Sequence, residues 1–402
     1  MVKEKNLMNL ETEEETEAVS SCPAASSLAV YFFIGTEAEL IKVFPVYVKL
    51  QNLGCTCHVI ASGQNDITKS RIFKEYPING KIVELSREED IKKTTTGLLS
   101  WFIKTKSGAI GKITSAFSKE KLKGGRLVVH GDTVSTFMGA MVGKSLGMTV
   151  CHVEAGLRSH HLFNPFPEEI DRLLTSRIAR VHFAPGDEAY NNLKKAKGKV
   201  INTKANTLSD SLKLSQNIPL ISQEVRAILK EKEDTGSKYF VFVMHRQENL
   251  ANPSFVSDVV KRIVNAAEST KCVIILHKIT ESTFERLGLM ESLRANGNIV
   301  MLYRVDYFDF MKLLNGARFV ITDGGSNQEE LYYMRKPCLI MRKATERSEG
   351  LGINARLFNG QAGDVEEFIR SVSGEEKVCE MAGALEEAMP SEIIAGKIVK
   401  CN

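Results

Sequence analysis

Four titratable side chains stand where they could transfer protons to and from a bound small molecule. Asp132, Glu154 and His245 each follow a short apolar run that predicts a strand, and Glu168 opens a helix predicted after Pro167. Carboxyl and imidazole groups act as acids and bases when burial and neighbouring charges bring their pKa values towards the working pH. The residue types therefore point to acid–base catalysis.

A structural role explains the same residues equally well. Asp132 could cap the helix that follows it, and Glu154 could pair with Arg158. Glu168 lies in the first turn of its helix, where the dipole favours an anion, and it faces Arg172 one turn further on. Spacing alone leaves both interpretations open.

A glycine-rich segment offers a site for phosphate. Residues 322–330, TDGGSNQEE, follow an apolar run and open a helix, where free amides and the helix dipole favour an anion. A tight turn between strand and helix needs the same glycines. Further along, Glu330 could accept hydrogen bonds from ribose hydroxyls, and Arg342, Lys343 and Arg347 could neutralise a pyrophosphate.

Several kinds of ligand have no motif in the chain. The sequence has no G-x-G-x-x-G pattern for a nicotinamide cofactor, no G-x-x-x-x-G-K-[ST] loop, and no Asp-x-Asp pair. Its eight cysteines form no C-x-x-C pair, and its net charge of +4 is spread without a long basic run. We therefore expect no cofactor, no metal ion and no nucleic-acid partner.

The chain also lacks the patterns of membrane proteins and of exported proteins. No apolar run reaches the ~18 residues that suggest a membrane span. Glutamates fill the N-terminal region where a signal peptide needs apolar residues. We expect no membrane partner and a cytoplasmic protein.

These residues need a framework of strands and helices that alternate along the chain. Apolar runs of strand length are continuous rather than alternating, which is typical of strands buried on both faces of a parallel sheet. They cover residues 28–34, 57–62, 126–130, 149–153, 181–184, 239–244, 272–277, 298–302, 318–322 and 337–341, with a further short strand expected at 81–86. Amphipathic stretches between them, such as 134–147 and 167–180, predict helices. The sequence thus predicts an α/β fold.

The length of 402 residues suggests two or three domains. Residues 1–27 are acidic and poor in apolar side chains, so we expect a disordered tail. Residues 204–238 contain no strand-like run, which separates an N-terminal domain over 28–204 from a C-terminal domain over 205–380, with about five strands in each. Polar clusters follow strands in both halves, so we expect the site in a cleft between the domains.

Six stretches resemble the UDP-N-acetylglucosamine 2-epimerase family in order and spacing. They are GTEAELIKVFPV (35–46), VVHGDTVST (128–136), HVEAGLRS (152–159), NPFPEEIDRLLT (164–175), HRQEN (245–249) and TDGGSNQEELYYMRKPCLIMRKATERSEG (322–350). The resemblance implies the GT-B architecture, in which two Rossmann-like domains with parallel sheets face each other across a cleft. It also implies UDP bound mainly by the C-terminal domain, a homodimer, and a final helix within 381–402 that crosses back to the N-terminal domain.

The resemblance also implies roles for individual residues. Asp132, Glu154 and Glu168 form the acid–base set, and His245 lies beside the leaving diphosphate. The expected substrate contacts are Lys42 and Arg172 near the diphosphate, Gly324, Gly325 and Ser326 in the phosphate turn, Glu330 at the ribose, Arg347 at the phosphates and Phe310 at the uracil.

The reaction of the family needs such a set. C2 of N-acetylglucosamine has no adjacent carbonyl group, so its proton becomes acidic only as the anomeric C–O bond breaks. UDP leaves, a 2-acetamidoglucal forms, and reprotonation on the opposite face with return of UDP gives the manno epimer. A base and an acid on different faces of the sugar are required, together with cations at the diphosphate. The resemblance thus implies interconversion of UDP-GlcNAc and UDP-ManNAc for polysaccharide biosynthesis.

The chain departs from the family pattern at several positions. Glu37 stands where the family has an arginine, residues 324–326 read Gly-Gly-Ser instead of Ser-Gly-Gly, and Gln64-Asn65 replaces a Gln-His pair linked to activation by substrate. Three alternatives stay open: a hydrolysing epimerase that releases free N-acetylmannosamine, a GT-B glycosyltransferase, and a nucleotide-sugar sensor without turnover.

Overall fold

The computed structural model describes residues 28–90, 95–159, 167–303, 305–342, 345, 347, 349–372 and 389–400. The tail expected over 1–27, Lys343 and the segment over 373–388 lie outside these ranges. Among the helices within them, none combines the length and the apolar character that crossing a membrane requires.

A seven-stranded parallel sheet forms the centre of the first lobe. Its strands are β1 (Ala29–Ile34), β2 (Thr56–Ala61), β3 (Ile82–Glu84), β4 (Arg126–His130), β5 (Thr149–Val153), β6 (Val181–Ala184) and β7 (Lys199–Asn202). They lie in the order β3-β2-β1-β4-β5-β6-β7, with Val30 of β1 opposite Cys57 on one side and Arg126 on the other. The strand order reverses between β1 and β4, and ligands of such sheets bind at this switch point.

A six-stranded parallel sheet forms the centre of the second lobe. Its strands are β8 (Tyr239–Val243), β9 (Lys271–Leu276), β10 (Ile299–Tyr303), β11 (Val320–Thr322), β12 (Cys338–Ile340) and β13 (Ala355–Leu357). They lie in the order β10-β9-β8-β11-β12-β13. The corresponding switch point lies between β8 and β11, where Val243 is opposite Thr322.

Helices connect the strands and cover both sheets. In the first lobe they are α1 (Glu37–Asn52), α2 (Arg71–Glu75), α3 (Thr95–Ala116), α4 (Lys119–Leu122), α5 (Val134–Ser145), α6 (Glu168–Ile178) and α7 (Asp187–Asn192). The later ones are α8 (Leu208–Gln216), α9 (Gln223–Thr235), α10 (Gln247–Leu250), α11 (Pro253–Ala267), α12 (Lys278–Arg286), α13 (Met290–Ala295), α14 (Tyr307–Gly316), α15 (Gly325–Tyr333), α16 (Gly363–Val372) and α17 (Pro390–Lys400).

Apolar side chains from both faces of each sheet make the cores. Phe32 of β1 packs with Phe44 of α1 in the first lobe, and Phe242 of β8 packs with Val260 of α11 in the second. Each of these side chains is at most 1% exposed. Burial of one such side chain stabilises the fold by about 1.5–3 kcal/mol, so the two helices hold their strand ends firmly in place.

The predicted α/β class with two parallel sheets is confirmed, and all of the predicted apolar runs contain strands. The expectation of about five strands per sheet is wrong, because the sheets have seven and six. The unpredicted strands β7 and β13 lie at sheet edges and read KVIN and ARL. A short edge strand with one exposed side needs no long apolar run, so its sequence gives little signal.

Two helices tie the lobes together. Helix α8 contacts α1 of the first lobe as well as α14 and α15 of the second, so the expected boundary near residue 204 stays a prediction. Helix α17 packs on α1, where Ile394 and Ile398 are buried and Lys49 pairs with Glu392. The last described helix therefore lies on the first lobe.

Candidate active site

A buried network of charged side chains joins the two lobes at the carboxyl ends of their sheets. Lys42 of α1 places its Nζ 2.5 Å from Oε2 of Glu154, which follows β5, and 2.9 Å from Oε2 of Glu329 on α15. Arg347 pairs with the same Glu329. Lys42 is 6% exposed and Glu329 is fully buried. Buried charges are costly unless they are paired, so this network holds the lobes in register around Glu154.

Glu154 is held as a carboxylate. Burial opposes its ionisation, but Lys42, His130 and Arg347 together hold the pKa of Glu154 well below its ordinary value. The side-chain amide of Asn206 donates a further hydrogen bond to Oε2. The backbone of Glu154 has φ +62°, a left-handed conformation that costs about 1–3 kcal/mol for a residue other than glycine. The carboxylate is therefore ionised and able to accept a proton, and its low pKa makes it a weaker base than an ordinary glutamate.

A second group of carboxyls gathers around Arg172 at the start of α6. Arg172 contacts Asp132 and lies 3.3 Å from Glu169, and it does not make the expected pair with Glu168. Glu168 and Asp171 lie on one face of α6, and each has a buried oxygen without a hydrogen-bond partner among the described residues. Burial, then the charges of Asp132 and Glu168, raise the pKa of Asp171 to about 7. This cluster therefore retains a proton near neutral pH.

The structural alternatives for two of the predicted acids are wrong. Helix α5 is capped by Thr133, whose hydroxyl accepts from the amide of residue 136 at 3.2 Å, and not by Asp132. Arg158 lies 3.4 Å from Glu169 and not against Glu154. Asp132 and Glu154 are thus left for other roles.

Replacement of Asp171 by asparagine should stabilise the protein more at pH 8 than at pH 5. The unfolded aspartate ionises above about pH 3.8, whereas the folded one stays protonated up to about pH 7. The free energy of unfolding of the unmodified chain therefore falls as the pH rises between these two values and is constant above them. The total loss is up to about 4 kcal/mol. Thermal melts of Asp171→Asn at both pH values measure the difference. Asp234→Asn, at an exposed position on α9, is the control and should show no difference in stabilisation between the two pH values. An equal effect of Asp171→Asn at both pH values would contradict the raised pKa of Asp171.

A cavity of about 370 Å3 opens at the carboxyl end of the second sheet. Its lining consists of Val243, His245, Arg246, Ile275, His277, Val305, Phe310, Gly324, Gly325, Ser326, Asn327 and Arg347. Gly324 is the N-cap of α15. A Cβ on Gly325 would lie 3.2 Å from Arg342 Nη1, 3.6 Å from Arg347 Nε and 3.8 Å from Arg246 Nη2. Three guanidinium groups around a helix N-terminus are well suited to a diphosphate.

The loop that carries His245 is anchored by a buried carboxylate. The backbone amide of His245 donates to both oxygens of Asp323, at 3.0 and 3.1 Å, and the amide of Arg246 donates at 2.9 Å. Asp323 is fully buried, and the ring of His245 lies 4.8 Å from that of His277. These contacts anchor the backbone of the loop, and His245 lines the cavity.

Most of the predicted site residues come together in this region. His245, Phe310, the 324–326 turn and Arg347 line the cavity. Glu330 is only 5% exposed, accepts a hydrogen bond from Asn327 at 2.7 Å, and has its pKa raised to about 7, chiefly by burial. Glu37 turns to α2, where it accepts a hydrogen bond from the Ser70 hydroxyl at 2.7 Å.

Four further residues of this region were not identified from sequence. Glu329 and Asp323 stand inside the TDGGSNQEE motif, and Asp171 lies one turn after Glu168, so the motifs held a signal for these three. Asn206 lies in a segment with no motif. Its role is evident only from its contact with Glu154.

A family model and a curated relative both match most of this chain. The family model described as UDP-N-acetylglucosamine 2-epimerase matches residues 49–385. A UDP-N-acetylglucosamine 2-epimerase of Methanocaldococcus jannaschii is 29% identical over 345 residues, which cover 84% of this chain and 90% of that enzyme.

Solved structures extend the similarity to the fold. The M. jannaschii UDP-GlcNAc 2-epimerase superposes with a TM-score of 0.73 at 25% identity, covering 93% of this chain and 99% of the other. A second structure of that enzyme, in complex with UDP-GlcNAc and UDP, gives a TM-score of 0.67 over the same shares. The expected GT-B architecture is confirmed by these neighbours. The extent of the family match, together with the fold, shows that the chain belongs to the UDP-N-acetylglucosamine 2-epimerase family.

Proposed function

We propose that the chain interconverts UDP-GlcNAc and UDP-ManNAc by elimination and re-addition of UDP. The observation that carries the proposal is the network of Lys42, Glu154, Glu329 and Arg347. It places a carboxylate of the first lobe next to the cations of the nucleotide cavity in the second lobe. The sugar of a nucleotide seated in that cavity would then reach the acids of the first lobe.

In this proposal the two groups of acids have different roles. Glu154, which is held ionised, accepts the proton from C2 of the sugar. The cluster of Asp132, Glu168 and Asp171, which retains a proton near neutral pH, supplies one to the opposite face. His245 and the guanidinium groups around Gly325 stabilise the negative charge of the departing diphosphate.

Incubation with UDP-GlcNAc in D2O, followed by NMR, tests the reaction. The expected product is UDP-ManNAc with deuterium at C2. Release of free N-acetylmannosamine at the first turnover would replace the reversible reaction with the hydrolysing one. Turnover that needs an added acceptor would identify a glycosyltransferase. Binding of the nucleotide sugar without any exchange at C2 would identify a sensor and contradict the proposal.

The homodimer stays part of the proposal, and the surface of α3 supports it. Leu99 and Ile103 are each 60% exposed, Ile110 is 41% exposed, and their spacing places them on one face of the helix. A stripe of exposed apolar side chains on a long helix is suited to contact a second copy of the chain.

Charge placed on this stripe should disrupt the dimer. We expect size-exclusion chromatography with light scattering to give a dimer for the unmodified chain and a monomer for Ile103→Asp, because a buried unpaired carboxylate is costly. Ile353→Asp, at a residue 53% exposed in the second lobe, serves as the control and should stay dimeric. A dimeric Ile103→Asp would place the contact elsewhere.

A further inference from the structure

A second cavity, of about 290 Å3, lies between helices α8, α14 and α15. The described residues that line it do not overlap with those that line the nucleotide cavity. Three of them are cations, namely Lys213 of α8, Lys312 of α14 and Arg335 just after α15, and none of the described lining residues is acidic. A concave wall with three cations creates a positive potential that attracts an anion.

Arg335 has a backbone conformation that a side chain disfavours. Its φ is +55°, in the left-handed region. Its amide donates to the carbonyl of Tyr332 at 3.0 Å, and the amide of Lys336 donates to that of Leu331 at 2.9 Å, which are the two bonds of a Schellman motif at the end of α15. Glycine is the usual residue at this position because it has no Cβ to strain the backbone. An arginine in its place points to a role for the side chain at the cavity.

The two lysines are not explained by helix stability alone. Lys213 lies in the last turn of α8, where the helix dipole favours a cation, but Lys312 lies in the middle of α14. The ammonium group of Lys312 donates to the carbonyl of Ile218, and one such bond uses only one of its three N–H donors. Asp210 offsets the charge of Lys213 only in part, because burial raises the pKa of Asp210 and its carboxyl already accepts from the amide of Ser391 at 2.7 Å.

The rest of the lining indicates what kind of anion fits. Gln216 and Asn315 bring amide groups that can bond hydroxyls, and the ring of Tyr333 adds an apolar face. Guanidinium and ammonium groups bind phosphate oxygens through charge-assisted hydrogen bonds. Ligand pockets usually measure ~300–1,000 Å3, so this cavity is suited to a small ligand. A phosphate group on a small hydroxylated body matches both the charge and the polar groups of the wall.

We propose that this second cavity binds a small sugar phosphate at a site separate from the nucleotide cavity. Lys312 and Arg335 hold the phosphate group, Lys213 adds to the positive potential, and the amides of Gln216 and Asn315 bond the sugar hydroxyls. The inference goes beyond the proposed function and does not rest on it, because the described linings of the two cavities have no residue in common.

Calorimetric titration with glucose 6-phosphate tests the site, with saturating UDP present to keep the probe out of the nucleotide cavity. The unmodified chain should bind the probe, and Arg335→Gly should weaken its affinity about tenfold or more. Glycine also relieves the left-handed backbone, so we expect this variant to fold as well as the unmodified chain. Lys204→Gly is the matched control, because it removes a cation with φ +65° that does not line the cavity, and it should leave the affinity unchanged.

Two further comparisons test the chemistry of the ligand. Lys312→Met should also weaken binding of glucose 6-phosphate about tenfold, and inorganic phosphate should bind the unmodified chain less tightly than the ester does. Equal affinities for phosphate and the ester would overturn the assignment to a sugar phosphate. Absence of binding, or equal losses in Arg335→Gly and Lys204→Gly, would overturn the site itself.

These titrations measure binding and not turnover. Arg335→Gly should therefore exchange deuterium at C2 of UDP-GlcNAc at the normal rate while it loses affinity for glucose 6-phosphate. A chain that binds the probe through Arg335 but exchanges no deuterium would refute the proposed function and leave this inference standing.

Discussion

Replacement of Glu154 by glutamine is expected to lower the turnover of UDP-GlcNAc by about 10²–10⁴-fold, the usual contribution of a positioned base. Glutamine has nearly the same shape but cannot accept the C2 proton. UDP binding should stay within a few-fold of normal, because His245, Phe310 and Arg347 line a cavity in the other lobe. NMR of the product and calorimetric titration with UDP give the two readouts.

The control for this variant is Glu188→Gln, at an exposed position on α7. It should leave both turnover and UDP affinity unchanged. Near-normal turnover in Glu154→Gln would remove Glu154 from the mechanism. If UDP affinity fell together with turnover, the main role of the Glu154 carboxylate would be to hold the lobes together.

Replacement of Lys42 by methionine is expected to reduce kcat/KM by about 100-fold, because Lys42 holds Glu154 in position against Glu329 of the second lobe. The acidic limb of the kcat/KM profile should also move to higher pH. The ammonium group is the largest of the charges that lower the pKa of Glu154, and without it the effect of burial raises that pKa. A base with a higher pKa is protonated, and so inactive, at a higher pH. The loss also leaves Glu329 with one cationic partner fewer in a fully buried position, which should cost about 3–5 kcal/mol of stability.

The pH dependence of kcat/KM and a urea titration of the folded protein measure these effects. Lys49→Met is the matched control, because Lys49 pairs with Glu392 at the surface and such a pair contributes at most about 1 kcal/mol. If the acidic limb of kcat/KM in Lys42→Met lay at the same pH as in the unmodified chain, Lys42 would not set the ionisation of Glu154.

Local sequence pattern was sufficient for most of the fold. The strands of both sheet centres are buried on two faces, so their runs are continuously apolar, as in RLVVH at β4 and TVCHV at β5. One helix start was also predicted from a local signal, since α6 begins at Glu168 directly after Pro167. The strands β7 and β13 were not predicted, because a strand at the edge of a sheet needs fewer apolar residues than a central strand.

The site was predicted less completely than the fold. Motif resemblance led to Asp132, Glu154 and the 324–326 turn, because a strand end or a helix start fixes their positions through nearby residues. It did not indicate that Asp171 would titrate near neutrality, since that depends on burial and on the carboxyls that α6 brings beside it.

The amino-acid sequence was enough to predict the α/β class, the positions of the strand ends and the residue types found there, because these depend on neighbours a few positions away. The pairing of the charges depends instead on how the two lobes pack. Lys42 and Glu154 are 112 residues apart, and Glu329 and Arg347 come from the other lobe. An ion pair depends on the distance between two atoms in space, and the packing of two sheets sets that distance after the whole chain has folded.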